Sequence, residues 1–351
     1  MLGVGRLLVG LACCLAACRA PAAPASGAAA APPPAAVATA GDSATATPGQ
    51  RPLQRVAIGV PGPSLSYLPT YLAWKLGYFQ EEGLDADFIQ ISGPPAMAAL
   101  INGELDFSTL LSAVGANALQ GGPLRMVQFQ SVRVQHVLVA RPDLADVSQL
   151  AGKRIGVDSL GTLTTFETRK LIEHFQLPDV ALVATGSELE RIAALQAGAV
   201  DAIIASIPAN LVAERQGFPT LLRIGAVLNI PQAGLGTSET HLRDQADLVE
   251  RSIRASDRAL PVIPSQRDVV TRIIEGYISL SPEDAQLAYD QVVDSYTPNG
   301  LPTDAQLAAY LDLLQATAGA PPGTRPEQMV DFTIARRVAA ELGLPSPAES
   351  R

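Results

Sequence analysis

Two similar α/β lobes are predicted by a short phrase that the chain contains twice, as Ala99-Leu100-Ile101-Asn102-Gly103-Glu104-Leu105-Asp106-Phe107 and as Ala194-Leu195-Gln196-Ala197-Gly198-Ala199-Val200-Asp201-Ala202. Each copy reads as a helix end stopped by a Gly in the left-handed conformation, followed by an Asp that opens an apolar strand such as Ala202 to Ala205. Around the first copy the chain spells a βαβαβ run. Ligands of such units collect at the carboxyl ends of strands, so two lobes facing each other make one cleft, where function is to be sought.

Before the lobes comes an export signal. Arg6 precedes the apolar run Leu7 to Ala17, too short to span a bilayer as a mature helix, and Leu15-Ala16-Ala17-Cys18 matches the bacterial lipobox, in which the Cys is lipidated and becomes the new N-terminus. An ordinary secretory peptide is the alternative, and both readings export the protein. Residues 1–17 are thus read as signal peptide, Cys18 as the lipidation site, and 18–52, rich in Ala, Pro, Ser, Thr and Gly, as a tether that cannot bury enough surface to order itself. Cys13 and Cys14 leave with the signal, and of the 3 cysteines only Cys18 remains, which excludes thiol nucleophiles, disulfides and thiolate metal sites from the folded part.

The net charge is -9, one unit more negative once Arg6 is removed. An acidic body argues against nucleic acid or an anionic membrane surface as partner. It leaves a small ligand open, because one local donor cluster outweighs the average.

Val56 to Val60 reads as a first strand, stopped by Pro61-Gly62-Pro63, and Leu68-Pro69 starts a helix capped at Gly77. Leu84 to Ile91 alternates as a strand with one wetter face, then Pro95 to Ile101 is helical. A helix near Val114 to Leu119 leads to two strands, Arg125 to Gln130 and Val134 to Ala140, and Arg141-Pro142 closes the lobe because Pro cannot continue a central strand. The first crossing between lobes is therefore expected at that dipeptide. The second lobe carries strands at Arg154 to Val157, Val180 to Ala184, Ala202 to Ala205 and Leu221 to Ile224, with helices at Thr164 to Phe175, Glu188 to Ala197 and Pro208 to Gln216. A return is expected around Asn229 to Ser238. Everything after His241 is helical in pattern, with a capping box at Thr303-Asp304-Ala305-Gln306, and is expected to pack on the first lobe. The boundaries are then 53–140 for lobe I, 141–232 for lobe II and 233–345 for the return and C-terminal helices.

The stretch from Tyr67-Leu68-Pro69-Thr70-Tyr71-Leu72-Ala73-Trp74-Lys75-Leu76-Gly77-Tyr78-Phe79 to Gln80-Glu81-Glu82-Gly83-Leu84-Asp85 closely resembles the opening of NMT1/THI5-like solute-binding proteins, which serve ABC importers for sulfonates, taurine, nitrate and pyrimidine precursors. Leu150-Ala151-Gly152-Lys153-Arg154-Ile155-Gly156-Val157 and both copies of the repeat extend the resemblance over roughly residues 55–240. It implies a type II periplasmic-binding fold, two α/β lobes joined by two hinge strands that close over a ligand. The implied ligand positions are Ser64, Ser66 and Tyr67 after the first strand, Ser92 and Gly93 after the second, and Leu111 and Ser112 after the third. Gln130, Ser131 and Arg133 follow near the first hinge, then Ser159, Gly161, Thr162 and Thr164, Ser206, and Gln232 near the return.

Of these, Asp158-Ser159-Leu160-Gly161-Thr162-Leu163-Thr164-Thr165 is the richest polar loop, and free N–H groups at a helix start suit a sulfonate, carboxylate or phosphate oxygen. Thr162 or Thr164 capping the helix is the other reading, and Glu167 in the first turn competes with an anion. Arg133 could clamp a carboxylate bidentately or serve as a structural partner, and Tyr67 could offer a ring face or pack in the core. Trp74 and Phe79 read as core. His136, His174 and His241 have no metal-ligand spacing, and no Walker or nucleophile-elbow pattern occurs.

The expectation is a non-enzymatic, lipid-anchored binding protein without cofactor or metal, a monomer delivering a small organic, anionic or pyrimidine-type solute to an ABC permease. The rivals are a pyrimidine-synthase-like enzyme of thiamine biosynthesis, whose cysteine-rich iron motif is absent here, and a sensory module without transport.

Overall fold

The computed structural model describes residues 52–321 and 323–346. The expected signal peptide, the lipidation site Cys18 and all but the last residue of the expected tether lie outside these residues. Ten strands form two five-stranded sheets. Those of the first sheet are β1 (Gln54–Val60), β2 (Leu84–Gln90), β3 (Phe107–Ser108) and β4 (Leu124–Ser131). The second takes β5 (His136–Ala140), β6 (Arg154–Val157), β7 (Ala181–Ala184), β8 (Ala202–Ser206) and β9 (Thr220–Arg223), and β10 (Ala233–Ser238) returns to the first.

The first sheet has the order β2-β1-β3-β10-β4 and the second β7-β6-β8-β5-β9. In both, three parallel strands are followed by an antiparallel one that comes from across the crossing: β10 in the first, β5 in the second. The borrowed strands are buried along their length apart from His136 at the start of β5, because each has a neighbour on either side and helices against the sheet.

The repeated phrase does the same thing in both lobes. Asp106 donates its N–H to Ala57 O at 2.9 Å and accepts the Ala57 N–H on Oδ2 at 2.7 Å. Asp201 donates to Arg154 O at 2.9 Å and accepts the Arg154 N–H on Oδ2 at 2.9 Å. Each Asp therefore fastens the incoming third parallel strand to the first, just after a glycine with φ of 78° (Gly103) or 68° (Gly198) has turned the chain off its helix. The carboxylates find different partners: His241 Nε2 lies 2.9 Å from Asp106, whereas Asp201 holds Arg154 and Arg141.

One expectation needs correction. The strand expected at Val134 to Ala140 in lobe I, with the crossing at Arg141-Pro142, instead enters lobe II: β5 pairs with β8 and β9 of the second sheet, so the first crossing is residues 132–135. Val137 to Ala140 is wholly apolar and fully buried, and such a strand is equally at home in either core. The second crossing lies between β9 and β10. In the C-terminal region the helix Ala246–Asp257 packs on Leu68–Lys75 and the helix Thr333–Glu341 on β4, both of lobe I, while Asp304–Ala318 touches Leu111–Leu119 of lobe I and Leu163–His174 of lobe II.

Candidate functional site at the crossing

Strand directions fix where the two sheets meet. β10 is antiparallel to both β3 and β4, so β4 ends at Ser131 on the edge where β1 and β3 also end. β5 is antiparallel to β8, so it begins, after four intervening residues, on the edge where β6 and β8 end. The carboxyl edges of the two parallel sets therefore face each other across the crossings, and the loops after β1, β2, β3, β6, β7 and β8 are gathered there.

At the centre lies a cluster of neutral amides and hydroxyls. The Ser66 hydroxyl stands 3.2 Å from Gln135 Oε1 and 3.1 Å from Gln232 Oε1, and the Gln135 N–H donates to the same Gln232 oxygen at 3.2 Å. Gln135 Nε2 donates to Ser295 Oγ at 2.7 Å and reaches Ser131 Oγ at 3.4 Å. A loop of lobe I is thus tied to both crossings at once. The Pro-braced turn before it sets this up: Ser64 caps the turn Leu65–Tyr67 and accepts the Ser66 N–H, while the Ser64 N–H donates to Tyr277 Oη at 3.3 Å and Tyr296 Oη donates to Leu65 O at 2.8 Å. Tyr277 stacks on Tyr71 with centroids 3.9 Å apart. Burial pushes the Tyr67 and Tyr277 phenols up to about 12, so both stay protonated hydrogen-bond donors.

The polar loop of lobe II is closed on itself. Thr162 and Thr164 both donate to the Asp158 carboxylate, the Ser159 N–H donates to it at 2.7 Å, and the Thr162 and Thr165 hydroxyls reach Ser159 O at 2.8 and 2.7 Å. Partial burial raises the Asp158 carboxyl, but these donors, with Arg191 nearby, leave it below the usual range. A negative charge already sits at the start of the helix Leu163–His174, and the hydroxyls expected to greet an anion are spent on it. Ser206 is occupied in the same way, giving its N–H and hydroxyl to Glu188 at 2.6 and 2.7 Å. Glu167 is fully buried and paired with His136 Nδ1 at 2.8 Å. Burial pulls the His136 pKa down, yet the Glu167 charge and hydrogen bond outweigh it and leave the ring raised.

The structure brings Ser64, Ser66, Tyr67, Ser131 and Gln232 together around Gln135 and the tyrosines. Gln130 lies apart in a buried chain: Thr70 Oγ1 donates to it at 2.6 Å, its Nε2 to Gln128 at 3.0 Å, and Gln128 Nε2 to Asp257 at 2.7 Å. Ser92 and Gly93 stand at the start of the helix Gly93–Asn102, Ser92 exposed, and Ser112 is exposed on the next helix, whose Leu111 is core. Ser159 and Gly161 are exposed at the tip of their loop. Arg133 lines a small cavity with Arg223, the last residue of β9. Sequence reasoning missed Gln135, Tyr277, Ser295 and Tyr296, the last three from the helical tail. A glutamine amid valines at 134 and 137 was the one available signal.

Two mixed sheets of this order, joined by two crossings, define the two-lobe type II binding-protein fold. Residues 65–265 match the NMT1/THI5-like family, and the chain belongs to it. No curated protein matches the chain. Among solved structures it is similar to a putative sulfonate ABC transporter's periplasmic sulfonate-binding protein from Methylobacillus flagellatus, at 16% identity and TM-score 0.68, over 83% of this chain and 96% of that one. The periplasmic aliphatic sulphonate binding protein of Escherichia coli gives 16% identity and TM-score 0.65, over 79% and 92%. The desulfurization enzyme DszB gives 16% identity and TM-score 0.64, over 82% and 99%. The fold thus occurs in binding proteins and in an enzyme.

Proposed function

We propose that the protein is the solute-binding component of an ABC importer, exported and held at the membrane by a lipid on Cys18, which captures a small organic molecule between its lobes without transforming it. The observation that carries this reading is the Ser66–Gln135–Gln232 cluster, in which one loop and both crossings share hydrogen bonds. A ligand that exchanges those bonds for its own stabilises one arrangement of the lobes over another, and a permease can read the difference. Neutral amides, hydroxyls and phenols suit reversible recognition.

Ser64, Ser66, Tyr67 and Gln232, with Gln135 and Tyr277 added, are the ligand-facing residues in this reading. Of the two ligand types expected, the pyrimidine-like one is favoured: Asp158 and Glu188 occupy the lobe II donors that an anionic group would need. The test is a thermal-shift screen of the full chain against alkanesulfonates, carboxylates, nitrate and pyrimidines, since a ligand that binds only the folded state raises the melting midpoint. A pyrimidine-type ligand should stabilise the wild type and not Ser66→Ala. Release of a chemically altered molecule would overturn the non-enzymatic reading, and stabilisation by sulfonates alone would overturn the ligand preference.

A further inference from the structure

Behind the amide cluster lies a half-open cavity of about 70 Å³, whose polar lining is Arg133, His136, Arg223, Gln291, Asp294 and Ser295 and whose apolar wall includes Val134 and Ile207. Arg133 comes from the first crossing and Arg223 from the last position of β9, just before the second. Among the described residues neither guanidinium has an ion pair: Arg133 donates no hydrogen bond, and Arg223 makes only one, to Asp290 O at 3.3 Å. Many other arginines of the chain are paired, some of them twice, as Arg141, Arg254 and Arg258 are, and Arg133 and Arg223 are two unpaired ones that line one cavity. Asp294 lines the same cavity but is exposed and pairs with neither arginine. The buried Glu167 carboxylate is paired with His136, itself a lining residue.

The two crossings also touch here. A Cβ on Gly225 would lie 2.4 Å from Val134 O and 3.3 Å from Arg133 Cβ, so only glycine lets the second segment lie against the base of the Arg133 side chain. Two guanidiniums without a carboxylate partner line the same small cavity, and an oxyanion there can accept a charge-assisted hydrogen bond from each. Ser295 has its proton on Val292 O, at 2.6 Å, and offers no donor, whereas the Gln291 amide lines the wall. The volume admits a small polyatomic ion.

We propose that this cavity binds a free tetrahedral oxyanion of the phosphate or sulfate class, bridged by Arg133 and Arg223, which pins the two crossings together. This site is separate from the solute site proposed above. It places Arg133, expected from the sequence to hold the solute, at an ion that stiffens the hinge.

The experiment titrates inorganic phosphate and, separately, sulfate into the full chain at constant ionic strength set with potassium chloride, by calorimetry and by melting midpoint. The wild type should bind one ion saturably and gain stability beyond the chloride control. Arg133→Gln and Arg223→Gln should each weaken binding about tenfold or more, the loss of one charge-assisted bond, and the double variant should abolish it. The double variant should keep a single cooperative unfolding transition without phosphate, which separates loss of a site from loss of the fold. Phenylphosphate, carrying the same head on a larger body, should bind at least tenfold more weakly than phosphate. Phosphate no better than chloride, equal binding by wild type and double variant, or phenylphosphate as tight as phosphate would each overturn the proposal. The cleft reading is judged on its own screen with solutes, so the two fail independently.

Discussion

Replacing Asp201 by Asn removes the charge from the clasp that the second copy of the repeat makes. The carboxylate accepts four hydrogen bonds: the Arg154 N–H at 2.9 Å, Arg154 Nε at 3.0 Å, Arg154 Nη2 at 3.1 Å and Arg141 Nη1 at 3.1 Å. The arginine side chains are 43% and 39% exposed, so solvent screens their Coulomb attraction, whereas the Asp201 side chain is only 9% exposed and its hydrogen bonds are sheltered. Asn keeps an acceptor for the Arg154 N–H but turns an amide toward guanidinium. The expected loss is about 2 kcal/mol at pH 7, the scale of a hydrogen bond to a charged group and not a sum of four. Bonding to Arg154 holds the Asp201 carboxyl down to about 2, while in the unfolded chain it titrates near the ordinary value of about 3.9. A depressed acid contributes stability that is full above the unfolded pKa and fades as pH falls through the folded one. Urea midpoints should therefore differ between wild type and Asp201→Asn at pH 7 and 5, and converge between pH 4 and 2. A constant difference down to pH 2, or none at pH 7, would refute the assignment of this carboxylate as the clasp.

Gly225→Ala should drive the crossings apart through the contact with Val134 O and cost about 2 kcal/mol, typical of overpacking, measured as a lower urea midpoint. His136→Ala strands the fully buried Glu167 and should cost about 3 kcal/mol, whereas the double variant with Glu167→Leu should recover much of the loss. Asp257 is buried with Oδ2 lacking a partner, and burial pushes its carboxyl well above the usual range. Because the folded state holds that proton more tightly than the unfolded chain, stability falls as pH rises from the ordinary Asp value, so Asp257→Asn should raise the melting midpoint more at pH 8 than at pH 5.

The lobes were legible because the Gly-x-x-Asp phrase does mechanical work twice, at Asp106 and at Asp201, and work done by a few adjacent residues leaves a local signature. Which lobe owns β5 was not legible: Val137-Leu138-Val139-Ala140 is buried throughout, and an apolar strand records burial without naming its neighbours. The site was half legible. Ser66 and Gln232 follow from their loops, but at Ser159 to Thr164 the sequence leaves anion contact and helix capping both open, and the structure gives two of the hydroxyls to Asp158, the residue that opens the same loop. Tyr277, Ser295 and Tyr296 arrive from a tail whose helical spacing encodes packing and says nothing of what lies opposite.

Each sheet takes its fourth strand from chain that has just left the other lobe. Cut between β9 and β10, the N-terminal fragment would leave β3 and β4 with unpaired edges flanking a gap in the middle of a sheet, an invitation to aggregation. Neither half is a portable module, so chimeras between relatives must exchange β5 and β10 with the sheets that receive them, not with the stretch of sequence in which they are written.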